Sequence, residues 1–322
     1  MARTRYAPDR GLTARMTLTM FLLGLVFVAF VAALVGILTA VHASGGAIIF
    51  FPVLLGLGLG IGSLFYSDKI ALRAAGARVV APEQAPELHG IIDRLCALAD
   101  MPKPVVAIAP THMPNAFATG RNSKHAVVCV TSGLLNGGLD REEIEGVLAH
   151  EMSHVAHKDV VVMTVASFLA IIAGLMIRFA FYGELFGGGG RGRNNNSGGQ
   201  VALLMLAVMA ASVVIYAISF LLIRLLSRYR ELAADRSGAL LTGRPSKLAS
   251  ALQKVSGQIA MIPTKDLRTH GAAEALNAFY FAPALTKGRK GGGGGLAQMF
   301  STHPSLERRL EELAKLSDQL GR

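Results

Sequence analysis

His150 and His154 stand four residues apart in the stretch His150-Glu151-Met152-Ser153-His154. On an α-helix that spacing puts both imidazoles on one face, where they can bind a single ion. Glu151 is rotated off that line, and its carboxylate can act as general base toward a water polarised by the ion. The pattern points to metal-assisted hydrolysis, provided a third ligand completes the site. Asp140, with Glu143 three residues on, reads as a capping box that starts the helix carrying the motif. A chance pair of surface histidines accounts poorly for a motif framed in this way.

The third ligand does not follow the HExxHxxGxxH pattern. His157 occupies the glycine position and Val160 the third-histidine position. His157 is therefore expected to be a solvated or interfacial histidine rather than a ligand. The best candidate lies in Ser227-Arg-Tyr-Arg-Glu-Leu-Ala-Ala-Asp235, where Glu231 and Asp235 fall four apart and share a helical face. Glu231 can complete a site of two histidines and one glutamate, leaving a position for water. Asp235 can accept a hydrogen bond from the far nitrogen of a ligand histidine and fix its tautomer. The competing account is an ordinary charged helix in which Arg228 and Arg230 pair with these carboxylates.

The segments around these residues are apolar. Of 322 residues, 52% are hydrophobic and only 16% charged, a composition that predicts membrane spans. Met16–Val41, Ala47–Tyr66, Val160–Phe181 and Val201–Ile223 are each long enough to cross a bilayer core. The first is too long for a cleavable signal and is joined to the second by the tight loop HASGG. A net charge of +11 on so apolar a chain points to anionic lipid rather than nucleic acid. Arg3, Arg5, Arg10 and Arg15 precede the first span, and Lys69, Arg73 and Arg78 follow the second. Lys158 precedes the third span, and Arg224, Arg228 and Arg230 follow the fourth. The positive-inside rule then places both termini on the cytoplasmic side, with Arg191 and Arg193 in the outer loop weakening the bias without reversing it.

The expected organisation is a cytoplasmic tail (1–15), a transmembrane hairpin (16–66), a first catalytic part with the motif (67–159), a second hairpin (160–223) and a second catalytic part (224–322). The first part should hold an amphipathic helix with Leu88, Ile91, Ile92, Leu95 and Leu98 on one face. Strands are expected over 104–109 and 126–131, with a weaker one over 115–120. The second part should hold a helix with Leu248, Leu252, Val255 and Ile259 inward. A last helix would start at Pro304, with leucines at 306, 310, 313, 316 and 320. Cys96 and Cys129 have no paired spacing and read as packed, reduced thiols. Glycine-rich tracts over 187–199 and 288–295 read as loops. Six residues separate His154 from Val160, about 9 Å if the helix runs on, so a metal site would lie close beneath the lipid.

Together, HEMSH, SRYRELAAD and the late STHPSLERRL resemble the HtpX family of membrane-bound zinc proteases, relatives of the CAAX prenyl endoproteases among the gluzincins. The resemblance covers nearly the whole chain. It implies a multi-pass α-helical membrane protein with a cytoplasmic α+β gluzincin-type metalloprotease domain, located in the bacterial inner membrane. It also implies one Zn²⁺ per chain on His150, His154 and Glu231, with Glu151 as catalytic base. Asn115, Ala116, Phe117 and Ala118 would form an edge strand along which substrate backbone pairs. His303 would be a candidate to stabilise the oxyanion, the alternative being a capping or packed histidine beside Pro304. Polypeptide substrates are implied, misfolded or damaged membrane proteins above all, at the lipid bilayer and with no nucleic acid. CAAX-type processing and a non-catalytic zinc-containing scaffold are the alternatives. An intramembrane site is disfavoured by the charges at Asp140, Arg141, Glu142, Glu143, Glu145, Lys158 and Asp159.

Overall fold

A computed structural model describes residues 10–40, 46–187, 197–261 and 301–321. The tail before Arg10, residues 41–45 of the first loop, residues 188–196 of the first glycine-rich tract and the whole second tract lie outside the described residues. The chain divides into two compact units. One comprises Met1–Thr13, Leu64–Val162 and Ser227–Arg322, the other Ala14–Ser63 and Met163–Leu226.

The second unit is helical, drawn from α1 (Arg10–Ala40), α2 (Gly46–Ala74), α6 (Asp159–Gly187) and α7 (Ser197–Thr242). Its core gathers Phe30, Leu34, Leu169, Ile172, Ala173, Met176, Leu204 and Val208. Leu18, Phe21, Val28, Leu54, Val165 and Leu203 point outward instead, an arrangement that suits hydrocarbon and not water. Four helices are long and apolar enough to cross a membrane, over Arg10–Ile37, Val53–Ala74, Asp159–Tyr182 and Leu203–Thr242. The helices extend beyond the apolar segments read from hydropathy, because a helix that has left the apolar zone can continue on polar residues. α7 shows this most clearly, continuing past Ile223 through Glu231 and Asp235 as one helix.

The first unit is built on a four-stranded mixed sheet in the order β1-β2-β4-β3. Its strands are β1 (Arg78–Val79), β2 (Val105–Ala109), β3 (Ala116–Thr119) and β4 (Val127–Thr131). β2 and β4 run parallel, while β1 and β3 pair antiparallel at the edges. β3 is therefore an edge strand, beginning one residue later than expected at Asn115. β4 is rich in valine and buried along its whole length, whereas β2 leaves Val105 exposed at its start.

Around the sheet lie α3 (Pro86–Ala99), α4 (Ser132–Leu135), α5 (Arg141–Ala156), α8 (Pro245–Met261) and α9 (Leu306–Gln319). Leu88, Ile91, Ile92 and Leu95 of α3, Val147, Leu148 and Met152 of α5, and Leu248, Leu252, Val255 and Ile259 of α8 fill one core. These are the inward positions that the helical period selects. Leu313 and Leu316 of α9 join them. Cys96 and Cys129 are buried and unpaired, and burial pushes their thiols up to about 11 and about 12, so neither is a thiolate at neutral pH.

Two local expectations are corrected. Pro304 is not the first residue of α9, because the Ser305 side chain accepts from the Arg308 amide and caps a helix that begins at Leu306. The motif helix also does not run on into the apolar segment. α5 ends at Ala156, His157 caps it, and Lys158 takes a left-handed φ of 56° before α6 starts at Asp159. The 9 Å distance assumed a continuous helix and lapses with it. Two contacts accompany the break: Arg230 donates to the His157 carbonyl at 3.2 Å, and the Asp159 side chain lies 2.6 Å from His154 Nδ1.

Candidate active site

α5 is started by the capping box expected from sequence. The Asp140 carboxylate accepts from the Glu143 amide, and Glu143 accepts from the Asp140 amide, each at 2.8 Å. Lys254 and Ser250 of α8 then bind Glu143 at 2.7 and 2.6 Å, fixing α5 against its neighbour. Two turns on, His150 and His154 leave the same face, with their Nε2 atoms 3.2 Å apart.

α7 supplies the third group. Glu231 Oε2 lies 3.6 Å from His150 Nε2, and Oε1 lies 3.5 Å from His154 Nε2. One ligand atom from each of the three residues falls within 4.8 Å of the others. A small backbone lets α7 approach α5 so closely. A Cβ built at Gly238 would stand 2.7 Å from the His150 nitrogen and 3.0 Å from the Ala149 carbonyl carbon, both backbone atoms that cannot step aside. Gly238→Ala is therefore expected to cost about 1–3 kcal/mol by overpacking and to push Glu231 away from the histidines. Thermal unfolding and metal affinity of the variant check this, and a fully stable variant with normal affinity would contradict it.

The sequence-predicted residues fall in one place. Asp235 Oδ1 is 2.9 Å from His150 Nδ1, the far nitrogen, leaving Nε2 directed at Glu231. His303 is buried, with Nδ1 3.1 Å from Glu231 Oε2, while its Nε2 has no hydrogen-bond partner among the described residues. Glu151 accepts a hydrogen bond from the Ala118 amide at 3.0 Å, so the outer edge of β3 abuts the carboxylate. Asn115 is tied the other way, into the sheet, where its backbone exchanges hydrogen bonds with the Thr131 hydroxyl at 2.8 and 2.9 Å. Phe117 packs into a small core with Ala71, Ala107, Ala109, Val127 and Cys129 on the other face of the sheet. His157 is no part of the cluster. Its Nε2 meets Ser237 at 3.4 Å, and burial, helped by Arg230 and His154, lowers its pKa to about 4.

Two residues that sequence reasoning passed over belong to the same cluster. Arg309 of α9, only 1% exposed, grips Asp235 with two hydrogen bonds of 2.7 and 2.6 Å. Its signal was available, because Arg309 falls three residues after Leu306 and four before Leu313, on the leucine face of its helix. An arginine on a buried stripe calls for an acid opposite. Asp159, five residues past His154, stands 2.6 Å from His154 Nδ1. Nothing in its local sequence separates it from a flanking charge.

Electrostatics test whether a metal fits. Glu151, Glu231, Asp235 and Asp159 are all buried around the histidines, and so are Arg309 and Arg230. Four carboxylates face two guanidiniums, leaving an excess of two negative charges if the imidazoles are neutral. Buried charge persists only when compensated. One divalent cation at the point where two imidazole nitrogens and a carboxylate converge would balance the cluster. Burial is also the main influence on Glu151, pushing its carboxyl up from the ordinary range. His150 and His154 pull the other way, Glu231 adds to the rise and the Ala118 amide opposes it.

Comparison with known proteins agrees with this geometry. Residues 82–317 match peptidase family M48. The chain is 57% identical to protease HtpX homolog 1 of Streptomyces coelicolor, over 99% of this chain and 97% of that one. It is 48% identical to a protease HtpX homolog of Moorella thermoacetica over 99% and 98%, and 39% identical to one of Pyrococcus furiosus over 92% and 96%. The crystal structure of S. mikatae Ste24p shares the fold, with a TM-score of 0.50 and 16% identity over 95% of this chain and 66% of that one. The chain belongs to peptidase family M48, the metallopeptidases that include the HtpX proteases, and has a multi-helical, membrane-capable fold with a small mixed sheet.

Proposed function

We propose that this metallopeptidase is a zinc endopeptidase of the bacterial inner membrane that cleaves misfolded or damaged membrane proteins from the cytoplasmic side. The observation that carries the reading is the convergence of His150 Nε2, His154 Nε2 and Glu231, beside a Glu151 carboxylate anchored to the Ala118 amide of an edge strand.

His150, His154 and Glu231 would hold the ion, and a set of two imidazoles and one carboxylate with an open position suits zinc in a hydrolase. When bound, the ion acts as a Lewis acid toward water and the substrate carbonyl. Glu151 accepts a proton from the attacking water and returns it to the departing amine nitrogen, the acid–base task its buried carboxyl suits. Substrate backbone would extend along Ala116, Phe117 and Ala118, pairing by main-chain hydrogen bonds, which tolerates many side chains. Buried His303 would stabilise the oxyanion from its unpartnered Nε2 as an imidazolium, the form in which Nδ1–H faces Glu231 and Nε2–H is free to donate. Cytoplasmic orientation is supported by the basic residues that flank the apolar segments. The membrane-protein substrate is supported by four membrane-capable helices, two of which, α6 and α7, also carry Asp159 and Glu231.

The test uses the full chain in sealed membrane vesicles. An added unfolded membrane-protein fragment should be cut by inverted vesicles, and cutting by right-side-out vesicles instead would refute the orientation. The same preparation should cleave that fragment faster than a prenylated C-terminal peptide, the reverse order favouring CAAX-type processing. Metal analysis of detergent-purified protein should return about one zinc per chain.

A further inference from the structure

We propose that Asp159 and Arg230 are positioning residues for His154, doing for the second histidine what Asp235 and Arg309 do for the first. The inference rests on the reading of His150, His154 and Glu231 as ligands.

The two arrangements match group for group. Behind His150, Nδ1 meets Asp235 at 2.9 Å and Asp235 is gripped by buried Arg309. Behind His154, Nδ1 meets Asp159 at 2.6 Å, and Asp159 pairs with Arg230, itself 6% exposed. With the carboxylate as acceptor, Nδ1 must carry the hydrogen, so the Nε2 lone pair is directed at Glu231. The guanidinium in turn sets an opposite charge against the buried carboxylate and fixes its position behind the imidazole.

The second pair also joins three elements. Asp159 is the first residue of α6, and Arg230 precedes Glu231 on α7. Arg230 further donates to the His157 carbonyl at 3.2 Å, across the Lys158 break where α5 stops. One guanidinium therefore sets the α5–α6 joint, the carboxylate that aims His154 and, through the next residue on its own helix, the height of Glu231. The unusual left-handed Lys158 has a role in this account. It turns the chain so that Asp159 reaches back under the imidazole one turn earlier.

Metal affinity of the full chain, measured by chelator competition in detergent, tests the proposal. Measurements are made on a Glu151→Gln background so that hydrolysis cannot interfere. Asp159→Ala should weaken metal binding about 10–100-fold, and Arg230→Gln should weaken it less, because it acts through Asp159. Asp159→Asn keeps the volume and the acceptor oxygen. It should lose about tenfold, and it serves if the alanine variant fails to fold. Cobalt-loaded variants should show altered visible bands, which a purely structural defect would not produce. Asp93→Ala, which breaks only an exposed pair with Lys103, should change nothing. Unchanged affinity and cobalt bands in both Asp159 variants overturn the proposal. If His154→Ala itself retains full affinity, the ligand reading has failed instead.

Discussion

Glu151→Gln should lower kcat/KM for peptide hydrolysis by about 10³-fold while leaving the metal in place. The glutamine keeps the volume of the glutamate, and its carbonyl oxygen can still accept the Ala118 amide hydrogen bond of 3.0 Å. What it lacks is a lone pair basic enough to take a proton from water. General base catalysis of this kind contributes about 10²–10⁴-fold, and a thousandfold loss corresponds to about 4 kcal/mol of transition-state stabilisation. Burial raises the Glu151 carboxyl above the ordinary carboxylate range, with His150 and His154 opposing the rise. The measurement pairs kcat/KM on an unfolded membrane-protein fragment with metal content of the same sample. Hydrolysis within tenfold of the parent would exclude Glu151 as base. Loss of activity together with metal would make the residue a structural support instead.

The second large effect is expected at Arg309. Arg309→Met preserves apolar bulk in a 1% exposed position but strips both hydrogen bonds from Asp235, whose carboxylate is itself 2% exposed. Breaking a buried ion pair from one side costs about 3–5 kcal/mol, because the remaining charge has neither water nor partner. Asp235 then gains a proton or shifts, and either change deprives His150 Nδ1 of its acceptor at 2.9 Å. Metal affinity should fall about 10–100-fold as well. Adding Asp235→Asn in the same chain removes the stranded charge. It should recover part of the stability without recovering the affinity, and that split separates charge burial from ligand orientation. Thermal unfolding and chelator competition give the two numbers. A single variant that melts and binds like the parent would show that α9 merely covers the site.

Arg309 and Asp159 also mark where reading the chain stopped short. The leucine period of the last helix was visible, and the face it buries is the face the structure buries through Leu313 and Leu316. The arginine on that face was legible as an anomaly, but its partner lies 74 positions away in sequence. Asp159 had no such signal. In sequence it is one of several charges flanking the motif, because its contact with His154 comes with a left-handed turn at Lys158, which lysine gives no reason to expect.

What the sequence determined by itself was local. Histidines four apart share a helical face whatever surrounds them, a capping box closes within one turn, and apolar runs of bilayer length announce themselves by composition. Glu231 could be nominated because ExxxD follows the same rule of faces. Tertiary structure alone decided what stands opposite each face. It directs Nε2 of His150 and His154 toward Glu231, sets His303 beside that carboxylate, and backs Nδ1 of His150 and of His154 with an aspartate–arginine pair each. The reason is physical. Periodicity records which side of an element turns inward, whereas the pairing of buried charges depends on close approach between segments distant in the chain, such as the contact Gly238 allows between α7 and α5.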